Sequence, residues 1–312
     1  MNRIFFVALV LTLFSSFAFA QQQMAVTVDD LPVVHYGIQD PEFQKELTLQ
    51  LIKTFEEYSI PAIGYVNEGK LYDDGKLDSN KVQLLELWLS NGFELGNHTF
   101  SHPNYHETPF HRFSANVLRG EKITKPLSQK HDLPYRYFRH PYLRIGTSQS
   151  HADSLRRFLQ QNGYTPAPVT IDNEDYIFAK AYHIAYSRND RELMGKVGET
   201  YVEYMEEKLQ FYEKSSETLF GRNIPQTLLI HANLLNAHYL DDLAEMYVSY
   251  GYSFISQEEV LEDESYQTPV TRYGPWGISW IDRWAISRGV DRTFFEDDPL
   301  TPDFIKDLSN NR

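Results

Sequence analysis

No cysteine occurs anywhere in the 312 residues, which excludes disulfides and a lipidated N-terminal cysteine. Long apolar runs are also scarce: beyond the first twenty residues no segment is apolar enough to span a bilayer. Positive charge is in short supply, with 29 Lys and Arg against 43 Asp and Glu and a net charge of -14. Nucleic acid and anionic lipid are therefore poor partners, whereas a neutral sugar polymer is compatible with this balance. Repeats, low-complexity tracts and Gly/Ser/Pro linkers are missing as well, so a single domain is expected up to about Leu261, with a C-terminal extension over 262–312.

What is present begins with an export signal. Arg3 precedes an apolar run from Ile4 to Leu13, and Ala18-Phe19-Ala20 supplies small residues for cleavage, so residues 1–20 read as a signal peptide. The mature chain is then expected to begin at Gln21, be periplasmic or secreted, and carry no membrane anchor. At about 290 residues it can bury a core large enough to fold without staples. The 21 Tyr, 20 Phe and 4 Trp are mainly core, but such faces also stack on sugar rings.

Short β-rich runs alternate with longer helical segments. Strands are expected at 24–28, 61–66, 93–95, 135–138, 167–171, 227–230 and 252–255. Asp40-Pro41 and Thr108-Pro109 look like helix starts, Asn91-Gly92 and Asn162-Gly163 like helix ends. A long helix is expected from Asp190 to Leu219. Seven strands each followed by a helix predict an α/β fold with a parallel sheet, closed as a distorted or incomplete (β/α) barrel or open and doubly wound. The barrel is preferred because Asp29-Asp30, His98, Arg139, Asp172/Asp175 and His231 all follow a strand, the end at which barrels build active sites.

His98 and His102 are four apart, so both imidazoles reach one ion if the loop turns helically. Asp29 and Asp30 end an apolar strand, where two carboxylates are costly unless a cation or hydrogen bonds compensate them. Strand alternation points them to opposite sides, one toward a metal and one toward substrate.

With these motifs in the same order from Thr27 to His231, the sequence resembles the polysaccharide deacetylase family, the NodB-homology enzymes of carbohydrate esterase family 4. Thr27-Val28-Asp29-Asp30 resembles T-F-D-D, which implies Asp29 as general base and Asp30 as metal ligand. His98-Thr99-Phe100-Ser101-His102 resembles H-T-x-x-H and implies both histidines as ligands. Arg139-His140-Pro141-Tyr142 resembles R-x-P-Y, implying that Arg139 orients the base and the Tyr142 backbone N–H lines an oxyanion hole. Asp172-Asn173-Glu174-Asp175-Tyr176 is similar to D-x-x-D-W, with Asp175 partnering an acid histidine and Tyr176 in place of tryptophan at the substrate. Leu229-Ile230-His231 is similar to L-x-H, with Leu229 at the acetyl pocket and His231 as general acid.

The resemblance implies metal-dependent removal of acetyl groups, N-acetyl before O-acetyl, from a polysaccharide such as chitin-like oligomers, peptidoglycan or acetylated xylan. Imidazole plus carboxylate suits zinc, and cobalt or nickel accept the same set. Leu143 stands where a glycine is common, and the stretch from Leu31 to Asn97 is long. Two alternatives stay open: a hydrolase of a non-sugar amide, and an inactive glycan-binding module. Asn233, Asn236 and His238 fit either substrate contacts or a helix-capping loop. Trp276, Trp280 and Trp284, four apart, are expected as one aromatic stripe on a helix of the extension, packing it onto the barrel in preference to serving as a sugar-stacking platform.

Overall fold

A computed structural model describes residues 22–310, so the expected signal peptide lies outside the described residues. The strands are β1 (Gln22–Val34), β2 (Ile63–Val66), β3 (Tyr72–Asp73), β4 (Lys76–Leu77), β5 (Glu94–Asn97), β6 (Tyr137–Phe138), β7 (Thr165–Pro166), β8 (Gln226–Asn233) and β9 (Tyr252–Phe254). Seven of them form one parallel sheet in the order β7-β6-β5-β2-β1-β8, with β9 also paired to β1. The short β3–β4 hairpin stands apart, within the long stretch after β1. The sheet curls into a distorted half-barrel with helices around it, and a single bridge from Ile171 to Leu228 links the chain beyond β7 to β8. Only that bridge remains of the strand expected at 167–171. Pro166 and Pro168 lack the N–H that a continuous ladder needs, so β7 stops at Pro166.

The helices are α1 (Pro41–Glu57), α2 (Ser79–Ser90), α3 (Phe110–Arg119), α4 (Thr124–Lys130), α5 (Gln149–Gln161), α6 (Asp175–Ser187), α7 (Arg191–Phe220), α8 (Leu234–Ser249), α9 (Gln257–Leu261), α10 (Trp280–Arg288) and α11 (Asp303–Asn310). None of them is long and apolar enough to cross a membrane. Local chemistry sets their ends. The Asp40 carboxylate caps α1 by accepting from the Glu42 N–H, and Asp190 caps α7 by accepting from the Leu193 N–H. At the other end of α7, Gly221 takes φ 71°, a left-handed stop open to glycine at no steric cost. Helix α3 starts at Phe110, one residue later than Thr108-Pro109 suggests, because Pro109 itself is the capping residue.

The core lies between the inner sheet and this helical layer. Phe93 packs edge to face with Phe55 and Trp88 there, and Tyr201, Met205 and Leu209 lie on the buried face of α7. The segment after Leu261 joins the same core through Trp280, Ile281 and Trp284 of α10 and Ile305 and Leu308 of α11. The three tryptophans do not make one stripe. Trp276 precedes α10 and is 37% exposed, whereas Trp284 is buried with edge contacts to Phe220 and Tyr266.

Candidate active site

The C-terminal ends of the strands surround a cavity of about 590 Å³ whose wall includes Asp29, Asp30, His98, His102 and His231. Parallel register is the first reason these groups meet. On adjacent strands Asp29 pairs with His231 across β1 and β8, while His98 and Arg139 immediately follow β5 and β6. The second reason is a local break. The register of β1 shifts after Asp29, and Asp30 adopts φ 67°. The strict alternation expected for Asp29 and Asp30 therefore fails, and both carboxylates line the same cavity.

His98 and His102 meet without the helical turn expected between them. Thr99 and His102 have φ of 69° and 53°, and the His102 N–H donates to Thr99 Oγ1, so the segment is a tight loop. The Nε2 atoms lie 3.1 Å apart. His98 Nδ1 is 2.8 Å from the Arg139 carbonyl, which can only accept, so Nδ1 carries the proton and Nε2 presents a lone pair to the cavity. Asp30 Oδ1 is 3.7 Å from His98 Nε2 and 3.8 Å from His102 Nε2, and it is buried without a hydrogen-bond partner.

These residues fit a divalent cation. One atom from each of Asp30, His98 and His102 lies within 4.8 Å of the others. Burial holds both imidazoles below their ordinary range, His98 furthest with His102 beside it, so their lone pairs are free to coordinate. Burial opposes the charge on Asp30, but the Lys70 ammonium beside it holds its carboxyl below the usual carboxylate range. Nitrogen and oxygen ligands in this number leave coordination positions open.

Beside this cluster sits an acid–base array, with Asp29 Oδ2 3.8 Å from His98 Nε2. Asp29 is 3% exposed, and burial pushes its carboxyl up to about 6 against the pull of Arg139 and His231. The fully buried Arg139 places Nη1 3.7 Å from Asp29 Oδ1, while its Nη2 donates to Thr27 Oγ1 at 2.9 Å and its guanidinium covers the Tyr65 ring. Thr27 in turn donates to the Leu228 carbonyl, tying this arginine to β8.

His231 Nδ1 is 2.6 Å from Asp175 Oδ1, and the His231 backbone N–H donates to Asp175 Oδ2 at 2.9 Å. Burial alone would discharge the imidazole, but the Asp175 carboxylate overcomes this by charge and hydrogen bond and raises it to about 9. The imidazole is thus held in its protonated form at neutral pH, with its Nδ1 committed to Asp175.

The other expected contacts share the cavity. Leu229 is 5% exposed at its wall, and Tyr176 is half-exposed with its ring edge-on to His231. Tyr142 is exposed, packs edge-on against His102, and has φ 56°; Leu143 follows at 52°. Left-handed backbone at two such residues costs about 1–2 kcal/mol each.

The sequence marks neither Lys70 nor Tyr36, and it leaves Asn236 open between two roles. Lys70 donates to the Asp30 carbonyl at 2.8 Å and approaches its carboxylate at 3.4 Å, yet lies in the long stretch after β1 where no motif marks it. Asn236 donates to Asp175 Oδ2 at 2.8 Å and to the His231 carbonyl at 2.9 Å, a supporting role rather than a substrate contact. Asn233 caps α8, as the capping reading expects, whereas His238 lies within α8 and pairs with Tyr182. Tyr36 donates to the Tyr176 carbonyl and closes that side of the cavity.

Fold and site together define a half-barrel of the (β/α) type with carboxylates and imidazoles gathered at its strand ends. Residues 18–167 match the family model described as polysaccharide deacetylase, the family that the motifs from Thr27 to His231 resemble. No curated protein matches the chain. Among solved structures it is similar to a mutant of BA3943 from Bacillus anthracis, described as a carbohydrate esterase family 4 pseudoenzyme with restored enzymatic activity, at 13% identity and a TM-score of 0.50, covering 78% of this chain and 69% of that one. It is also similar to the peptidoglycan deacetylase PdaC of Bacillus subtilis, at 17% identity and 0.47, covering 80% and 95%. A third is a family 4 acetyl xylan esterase of Clostridium thermocellum in complex with a cobalt ion, at 15% and 0.48, covering 77% and 91%.

Proposed function

We propose that this chain is exported and hydrolyses acetyl groups, N-acetyl in preference to O-acetyl, from a polysaccharide outside the cytoplasm. The observation that carries the reading is one cavity holding two chemically distinct halves: the Asp30, His98 and His102 cluster, and an acid–base array in which Asp29 and His231 sit on paired strand positions. A binding module has no need for a base, an orienter and a charged acid together.

A divalent ion held by Asp30, His98 and His102, with zinc the best match to these donors, would polarise the acetyl carbonyl and make the attacking water more acidic. Asp29 takes the proton of that water, with Arg139 fixing the carboxylate by charge from behind. The carbonyl oxygen gains charge as the tetrahedral species forms, and the Tyr142 N–H donates to it. His231, kept protonated by Asp175, delivers a proton to the departing amine, without which the carbon–nitrogen bond would not break productively. Leu229 supplies the apolar surface against which the acetyl methyl rests.

The test is acetate release by the mature protein across acetylated chitooligosaccharides, peptidoglycan fragments and acetylated xylan, with cyclic amides alongside. Release from at least one glycan and none from the cyclic amides is expected. Turnover of a cyclic amide alone would move the reading to non-sugar amides, and glycan binding without release would move it to a binding module.

A further inference from the structure

The loop carrying Tyr142 holds two consecutive non-glycine residues in left-handed backbone, and such a pair persists only where surrounding structure imposes it. The restraint comes from the far end of the chain. Arg283 of α10 is 1% exposed, and its Nη2 donates to the Leu143 carbonyl at 2.6 Å and to the Trp276 carbonyl at 3.2 Å. One buried guanidinium therefore ties the loop to the segment leading into α10. Beside Trp276, Gly277 lies against the same loop so closely that a Cβ there would stand 2.0 Å from the Tyr142 carbonyl oxygen.

Stability alone does not account for this arginine. Its Nε and Nη1 have no hydrogen-bond partner among the described residues, although the guanidinium rests over the Trp280 ring. A buried cation with so few acceptors is an expensive way to fill space. The two hydrogens of its Nη2 instead capture two carbonyls from different segments at once.

We infer that Arg283 is a positioning residue for the hydrolysis: from the C-terminal segment it holds the Tyr142–Leu143 backbone in the left-handed conformation that presents the Tyr142 N–H to the reacting carbonyl. The inference rests on the reading of that N–H as an oxyanion donor. It also explains how the chain tolerates Leu143, since glycine would take this backbone angle without a clamp.

The experiment compares Arg283→Met and Arg283→Lys in the parent and in a Leu143→Gly background, measuring kcat and KM for acetate release and amide hydrogen exchange over residues 139–146. Arg283→Met is expected to lower kcat by about 100-fold with KM little changed, the cost of a donor displaced by about an ångström. Arg283→Lys, which keeps the charge and one of the two hydrogen bonds, should fall between. Exchange in the loop should quicken in both, and in the Leu143→Gly background the kcat loss should shrink to about 5-fold or less, because glycine keeps the loop angle unaided. Unchanged loop exchange in both variants overturns the clamp. Equal kcat losses in the two backgrounds overturn the coupling to Leu143. Faster loop exchange in both variants, together with a parent protein that releases no acetate from any substrate, would leave the clamp standing and remove the oxyanion reading instead.

Discussion

Asp29→Asn should lower kcat for acetate release by about 10³-fold, within the range of about 10²–10⁴ that a positioned general base contributes. Asparagine matches the shape of the side chain but takes no proton at neutral pH. The ion-binding cluster does not include Asp29, so titration calorimetry with zinc should still show one ion bound per chain. The split between lost turnover and retained binding is the informative result. A variant within about 5-fold of the parent would assign the base elsewhere, and one that fails to bind zinc would make Asp29 a ligand.

The second large effect lies at the acid. His231 owes its high proton affinity to Asp175, which accepts from its Nδ1 and its backbone N–H, and is itself held by Asn236. With its folded value raised to about 9, the imidazole is protonated below that pH and loses its proton as pH rises through it, so activity should fall on the alkaline side. Asp175→Asn removes the charge that raises it. The alkaline limb should then move to lower pH, and kcat at neutral pH should drop on the order of 10²-fold, as befits loss of general acid catalysis. The effect should be larger on amide than on ester substrates, because an alkoxide needs protonation less than an amine does. A pH–rate profile identical to the parent would remove His231 from the acid role.

Much of this site was legible in the sequence because its parts are local motifs at strand ends. Asp29, Asp30, His98, His102, Arg139, Tyr142, Asp175, Tyr176, Leu229 and His231 all line or directly support the cavity, and the curled parallel sheet follows from the alternation of short apolar runs with helices. What was not legible depends on backbone angles and distant contacts. The left-handed turn at Asp30 cannot be read from an aspartate, though it decides that both carboxylates face one cavity. The loop at Thr99–His102 replaces a helical turn for the same reason. Lys70 and Arg283 reach the site from segments 40 and 140 residues from the groups they hold, and no spacing rule connects them. Alternation also misled at Pro166 and Pro168, where apolar character suggested a strand that proline cannot complete.

The most direct measurement is acetate release from acetylated glycan by protein stripped of ions with a chelator and then titrated with zinc or cobalt, alongside a determination of ions bound per chain. Activity lost on stripping and restored at one equivalent, with His98→Ala unable to recover, is the expected result. Undiminished release by the stripped protein would contradict a metal-dependent deacetylase.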